Sequence, residues 1–508
     1  EIYTLSLHDA LPIWAVETLD REWKTVDRLP AQGTVESRLE QLPEMGPSAG
    51  PPPASGLLIT AAPPLVARFP ALAQGAWAED AAAKGMSFPL HGGAAAPVRF
   101  EIRPVGGAAE AMAPAAAWRD GERMKWSGTN AGLAWTILAV PGAAGDLWVA
   151  AEFQGGREVA FDLAASVGLP AWTWTVADGT RAGRPLDAQA WRGGGLGSTS
   201  TIGEARSQAL WPFAVAASPS GTVALVTDPD EPRPVFFEGG ARPASLTIVH
   251  PMAVTPMTTR FPGRACVAFL VRGSPPSSDP LRSVAAWWHG LLGQGAAPAV
   301  PMQWLDAGAD AAAARKTAGG PVAVEALRSG EAGAVAEAWR YVRLRPWWCE
   351  MPVPRGVKAD AAEAMRLLRF HAAAGGPLAW YAQSAILGAA RGADDAVSVR
   401  AVAAPGGAAV RVAVSADPHF LTTPGAPWNR SMLEWAYATQ FHDSPGMAAV
   451  LFDGFDGLGG LDHNRATLAA ADRAAAHAAG SRVPGVPRAL DAFEFLDAFR
   501  RPLGPGRA

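Results

Sequence analysis

Cysteine is nearly absent: Cys266 and Cys349 are the only two in 508 residues. So sparse a pair excludes a cysteine-based zinc cluster and a disulfide framework. Both read as buried thiols, which pack as small hydrophobes. Long apolar runs are missing too, since no window reaches the ~18 uninterrupted apolar residues of a membrane-spanning helix. Nor is there an excess of charge of one sign. The 43 Lys and Arg against 47 Asp and Glu leave a net charge of −4, which offers no electrostatic footprint for nucleic acid or an anionic surface. GxxxxGK[ST], HExxH and CxxC do not occur, so nucleotide binding and zinc proteolysis have no support in the sequence. The Gly-rich GGGLGSTSTIG (193–203) does not fulfil GxGxxG and follows a polar stretch, so it reads as a loop. No cofactor is expected.

Tyrosine is scarce, with 4 residues against 20 tryptophans. Trp stacks on a weakly polarised face while its N–H makes a hydrogen bond, a combination that suits sugar clefts, although most of these side chains read as core. At 49% hydrophobic and 18% charged the composition is globular. A chain this long is expected to divide into about two to four domains.

Residues 1–13, EIYTLSLHDALPI, hold one of the four Tyr and neither Gly nor Arg. They resemble translated adapter sequence and are set apart from the fold. On that reading the true start lies outside the chain, and an extracellular or periplasmic location is the expectation. Residues 14–84 alternate short β candidates with Pro-rich breaks such as GPSAGPPPASG (46–56). From 85 to 275, PVRFEIRPV, LAWTILAV, DLWVAAEF, VAFDL, TVALVTD, ASLTIVH and RACVAFLVRG show partial period-2 alternation between turn signals. This pattern predicts an antiparallel β-sandwich.

A helical connector is expected over 276–335. Asp279 can cap a helix with Pro280 in its first turn and Leu281, Val284, Ala285, Trp288 and Leu292 on one face; 293–321 reads as linker. Over 336–508, helices alternate with apolar strands. A helix at 359–374 has Ala364, Leu367, Leu368 and His371 on one face, PLAWYAQSAIL (377–387) is a strand candidate, and 397–416 reads as a hairpin or two further strands. Further helices are expected at 429–441 and 489–501. The fold class is therefore multidomain, a β-sandwich followed by a TIM-like βα-barrel holding about half of the eight βα units of a closed barrel. It reads as incomplete.

The feature that organises the chain is MAAVLFDGFDGLGGLDHN (447–464), an apolar strand running into acids on a Gly-rich loop. Together with RFPGRACVAFLV, AWRYVRLRPWWCEMP and PWN, it resembles a family of large bacterial proteins allied in architecture to glycoside hydrolases. The resemblance covers roughly residues 200–500. It implies a sandwich, a TIM-like barrel and a carbohydrate substrate or ligand. In that family the strand end follows a pattern like D-S-L-E-G-W. Here Asp453 and Asp456 take the acidic positions, Gly457 the glycine, and Leu458 stands where the aromatic is expected.

Glycoside hydrolysis needs two carboxyls, roughly 5–5.5 Å apart for retention or roughly 6.5–9.5 Å for inversion. Asp453, the first polar residue after a buried run, is the leading candidate, with Asp456 beside it. Glu350, just past another expected strand in WWCEMP, is the candidate opposing carboxylate. Trp347 and Trp348 would form a sugar platform, Trp428 and Asn429 would line the rim, and Asn464 would bind sugar from the same loop as Asp453. Other readings stay open. The acids could solvate a loop and cap a helix, or Asp453, Asp456, Asp462 and Asn464 could gather oxygen ligands for Ca²⁺, although their spacing is not that of an EF-hand and no metal is assigned. A non-catalytic carbohydrate-binding or cell-surface sandwich is the alternative function. Oligomeric state is not legible.

Overall fold

A computed structural model describes residues 77–80, 87–89, 95–142, 146–169, 175–177, 184–185, 191–194, 212–219, 221–228, 235–241, 244–257, 262–291, 303–305, 322–325, 339–344, 347–374, 377–404, 407–415, 447–452, 460–470, 476–477 and 481–488. They fall into two compact units, one built from 77–291 with 460–488 and the other from 303–452.

The first unit is β-rich. Its main strands are β1 (Ala95–Pro104), β2 (Arg123–Asn130), β3 (Leu133–Pro141), β4 (Asp146–Gln154), β5 (Val159–Gly168), β6 (Phe213–Ser218), β7 (Gly221–Thr227), β8 (Ala244–Val254) and β9 (Arg264–Ser274). One antiparallel sheet runs Ala78–Glu79, Ala116–Asp120, β2, β3, β4, β9, β7, β6, Thr175–Ala177, Arg184–Pro185. A second runs Trp191–Gly194, Phe236–Ala241, β8, β5, β1, Ser87–Pro89.

The two sheets share a single apolar core, and period-2 alternation decides which residues enter it. Leu133, Trp135, Ile137 and Ala139 of β3 and Ala265, Val267, Phe269 and Val271 of β9 meet Val98, Phe100 and Ile102 of β1 and Phe161, Leu163, Ala165 and Val167 of β5. Rings interlock across the layers: Phe153 and Phe161 centroids lie 4.9 Å apart, edge to face. Each large side chain buried this way stabilises the unit by about 1.5–3 kcal/mol. Turn chemistry fits as well. Asn130 pairs with Leu133, and Ala131 and Gly132 between them take φ of 51° and 76°, the left-handed pair of a two-residue hairpin loop. Glu110 Oε2 steadies that turn by accepting from Ala131 N at 2.9 Å.

Helix α1 (Pro280–Leu291) follows β9 as expected, with Asp279 Oδ1 accepting from Arg282 N at 3.0 Å. It buries Val284 against Phe213, Val215, Val226 and Leu270, on the opposite face of the first sheet. Much later in the chain, β17 (Leu461–Asp462), α4 (Arg465–Ala470), β18 (Ala476–His477) and β19 (Pro484–Pro487) return to this unit. Leu468 and Val486 pack on Ala160 and Ala253, and His477 Nε2 lies 3.0 Å from Asp162 Oδ1. Residues 460–488 therefore belong with the sheets and not with the expected barrel.

The second unit contains four strands that pair in parallel and in chain order: β10 (Gln303–Leu305), β11 (Val322–Glu325), β12 (Trp339–Leu344) and β16 (Met447–Phe452). Two of them lie in the stretch expected to be connector. Strands of three and four residues are too short to show a period, and the Ala, Gly and Pro around them read as linker. Among the described residues the parallel strands form an open sheet.

Between β12 and β16 lies an inserted α+β module. β13 (Trp348–Val353), β15 (Gly407–Ala413) and β14 (Val399–Ala404) form an antiparallel sheet, with α2 (Ala361–Ala374) and α3 (Pro377–Gly388) alongside. Asp360 caps α2 through Glu363 N at 3.1 Å, and Ala364, Leu367, Leu368 and His371 are all buried, as the spacing predicts. The strand expected at 377–387 is a helix. Its mostly apolar sequence does not separate the two states by period, but Pro377 suits a first helical turn and twelve residues exceed an ordinary strand. Ala382, Ala385 and Ala389 of this segment enter the module's core, where small side chains bring α3 close.

Candidate active site

Because β10, β11, β12 and β16 are parallel, their carboxyl ends lie along one edge of the sheet. Leu305, Glu325, Leu344 and Phe452 are the last residues of the four strands. Leu344 is paired with Phe452, and Glu325 with Tyr341. The chain leaves this edge at Phe452 directly into Asp453. Asp453, Asp456, Trp428 and Asn429 lie outside the described residues, as do the helices expected at 429–441 and 489–501.

One strand-end carboxylate escaped the reading of the sequence. Glu325 closes β11, two strands from β16. Neighbouring strands lie about 4.8 Å apart, so these two are separated by about 10 Å of backbone. The only signal was VAVE, four residues inside the expected connector.

Glu350 lies elsewhere than expected. It sits within β13, not past a strand, and it belongs to the antiparallel sheet of the inserted module. Its side chain is 4% exposed, and Arg411 Nε donates to Oε2 from the neighbouring strand. The charged residue looked like a strand end because no apolar residue replaces it in WWCEMP. The strand tolerates it because Arg411 supplies the opposite charge directly across the ladder. Beside it, burial first and the Glu350 charge second push the Cys349 thiol up to about 12. That thiol stays protonated and unreactive at neutral pH.

Trp347 and Trp348 are also buried, at 1% and 4% exposure, which rules out an open sugar platform. Arg400 lies over the Trp348 ring, 5.7 Å from its centroid. In register, Glu350, Arg411 and Arg400 form one cross-strand row. The opposite face of the sheet, with Cys349, Met351, Val410 and Val412, packs against Leu367 and Leu368.

Asn464 falls in the β-rich unit. It is buried there with Asp462 and His463. Asp462 Oδ1 accepts from Asn464 N at 2.8 Å, the Asn464 carbonyl accepts from Leu468 N at 2.9 Å, and His463 Nδ1 lies 2.9 Å from the Pro484 carbonyl. These contacts make 462–464 the entry to α4, which is a structural role. Among the described residues no group of three His, Cys, Asp or Glu is arranged to hold a metal ion. No described helix is long and apolar enough to cross a membrane.

No family model matches the sequence, and no curated protein matches it. Among solved structures, the chain is similar to the GH36 α-galactosidase AgaB of Geobacillus stearothermophilus, at 10% identity and a TM-score of 0.41, over 82% of this chain and 58% of that one. It is similar to an α-galactosidase of Lactobacillus brevis at 8% identity and a TM-score of 0.33, over 75% and 60% of the two chains. It is also similar to the α-N-acetylgalactosaminidase NagBb of Bifidobacterium bifidum at 10% identity and a TM-score of 0.33, over 74% and 69%. The chain thus spans about three fifths of the length of the two α-galactosidases, and the resemblance to glycoside-hydrolase structures is of low identity and partial coverage.

Proposed function

We propose that this chain is a glycoside-hydrolase-like protein acting on an oligosaccharide or polysaccharide, and that the carboxyl edge of the parallel sheet is its reacting end. The observation that carries the reading is the pairing of β12 with β16, which brings the chain to that edge at Phe452, one residue before Asp453. Parallel β/α enzymes collect their catalytic groups at this end of the sheet. On this reading the four parallel strands are part of a TIM-like barrel and the two antiparallel sheets form a β-sandwich. Asp453 is the first carboxylate, and Asp456 orients a sugar hydroxyl or is the pair's other member. Glu325 is a further candidate for the second carboxylate. Strands about 10 Å apart carry side chains long enough to bring two carboxyls into the 5–9.5 Å range of glycosidases. Glu350 is left out, because its carboxylate is committed to Arg411 inside a strand.

The test is hydrolysis of a panel of aryl glycosides by the wild-type chain and by Asp453→Asn and Glu325→Gln. A loss of about 10²–10⁴-fold in kcat with an unchanged melting temperature is expected for Asp453→Asn. Full activity in that variant would remove the residue from the mechanism. Wild-type binding of glycans without any turnover would favour the carbohydrate-binding alternative.

A further inference from the structure

The inserted module is tied to the same edge. Only residues 345 and 346 separate Leu344, the carboxyl end of β12, from Trp347. Leu344 is in turn the partner of Phe452. Four residues of extended chain reach at most about 14 Å, so Trp348 stands within that distance of Leu344, with Glu350 two residues further along β13.

That row is unusual for a sheet face. It places Arg411 between Glu350 on one neighbouring strand and Arg400 on the other. Glu350 takes the Nε side of Arg411, and among the described residues Arg411 makes no other hydrogen bond. Its Nη1–Nη2 end therefore keeps its donors while the side chain is only 18% exposed. A guanidinium anchored through Nε and held in a part-buried position presents a preset fork. Such a fork matches a carboxylate with two parallel hydrogen bonds, and it gains little from a lone hydroxyl.

We infer that Arg411 is a specificity residue for a carboxylate-bearing sugar unit, a hexuronate, bound next to the reacting edge. Glu350 is its positioning residue. This inference rests on the carbohydrate reading above and narrows it from saccharides in general to acidic ones.

The experiment uses the full chain and matched oligosaccharides that differ only in ending with a hexuronate or the corresponding hexose. Affinities are measured by calorimetry at low and high salt. The wild type is expected to prefer the uronate by about tenfold, with the preference falling as salt rises. Arg411→Lys keeps the charge but removes the fork, and is expected to lower that ratio several-fold. Glu350→Gln with Arg411→Met removes both members of the pair, leaves no buried charge behind, and is expected to bring the ratio to about one. Melting curves of each variant separate loss of fold from loss of selectivity. Equal wild-type affinity for the two sugars, or a preference that survives the double substitution, overturns the inference and leaves the carbohydrate reading intact. If neither sugar of any pair binds the wild type, both fall.

Discussion

The two units solve the same problem with opposite means. In the β-rich unit, long antiparallel strands alternate in and out, and a core of Phe, Leu, Ile and Trp fills the space between two sheets. In the other unit, short parallel strands end at a shared edge, while an inserted module carries its charges on one sheet face and its helices against the other. The first arrangement maximises apolar burial and leaves few polar groups to do chemistry. The second brings chain ends, carboxylates and guanidiniums together in one part of the sequence. Stability and reactivity are expected to separate along this line.

The largest stability effect is expected in the first unit. Phe269→Ala removes a fully buried ring that lies 6.4 Å from Phe100 across the sheets and is expected to cost about 3–5 kcal/mol in a denaturant titration. The KM of the remaining folded fraction should not move. A change in KM without a change in stability would break the division of labour.

Acid should act on the second unit first. Burial, followed by the charge of Arg366, holds folded His371 at about 4, below the ordinary 6.5. The unfolded chain binds a proton that the folded chain refuses. Stability is therefore complete above pH 6.5 and is lost progressively as pH falls toward 4, by up to about 3 kcal/mol. The prediction is checked by melting curves from pH 7 to 4, with His371→Leu flattening the profile. A profile identical in the variant would put the acid sensitivity elsewhere.

A smaller effect tests the end of the β-rich unit. Asp279→Ala removes the carboxylate that caps α1 and should lower stability by about 1 kcal/mol, without altering catalysis.

The same contrast explains what was legible in the sequence. LAWTILAV and RACVAFLVRG carry enough alternation to show that they are strands. Asp279 announced its helix because a cap is a local device. The parallel strands were harder. QWL and VAVE are shorter than any period, so β10 and β11 read as connector and Glu325 went unseen. The run 377–387 is mostly apolar, so helix and strand look alike until packing decides. Glu350 was legible as a special residue but not as Arg411's partner, because a cross-strand pair 61 positions apart leaves no local trace. Likewise Asp462 and Asn464, grouped with Asp453 on one loop in the sequence, fold with the β-rich unit.

The central claim is that Asp453 stands at the reacting edge. Its most direct test is the hydrolysis rate of Asp453→Gly with and without added azide. A small anion can occupy the place of a deleted catalytic carboxylate, so the account predicts a loss of about 10²–10⁴-fold that azide partly restores. A glycine variant that hydrolyses as fast as the wild type would contradict it.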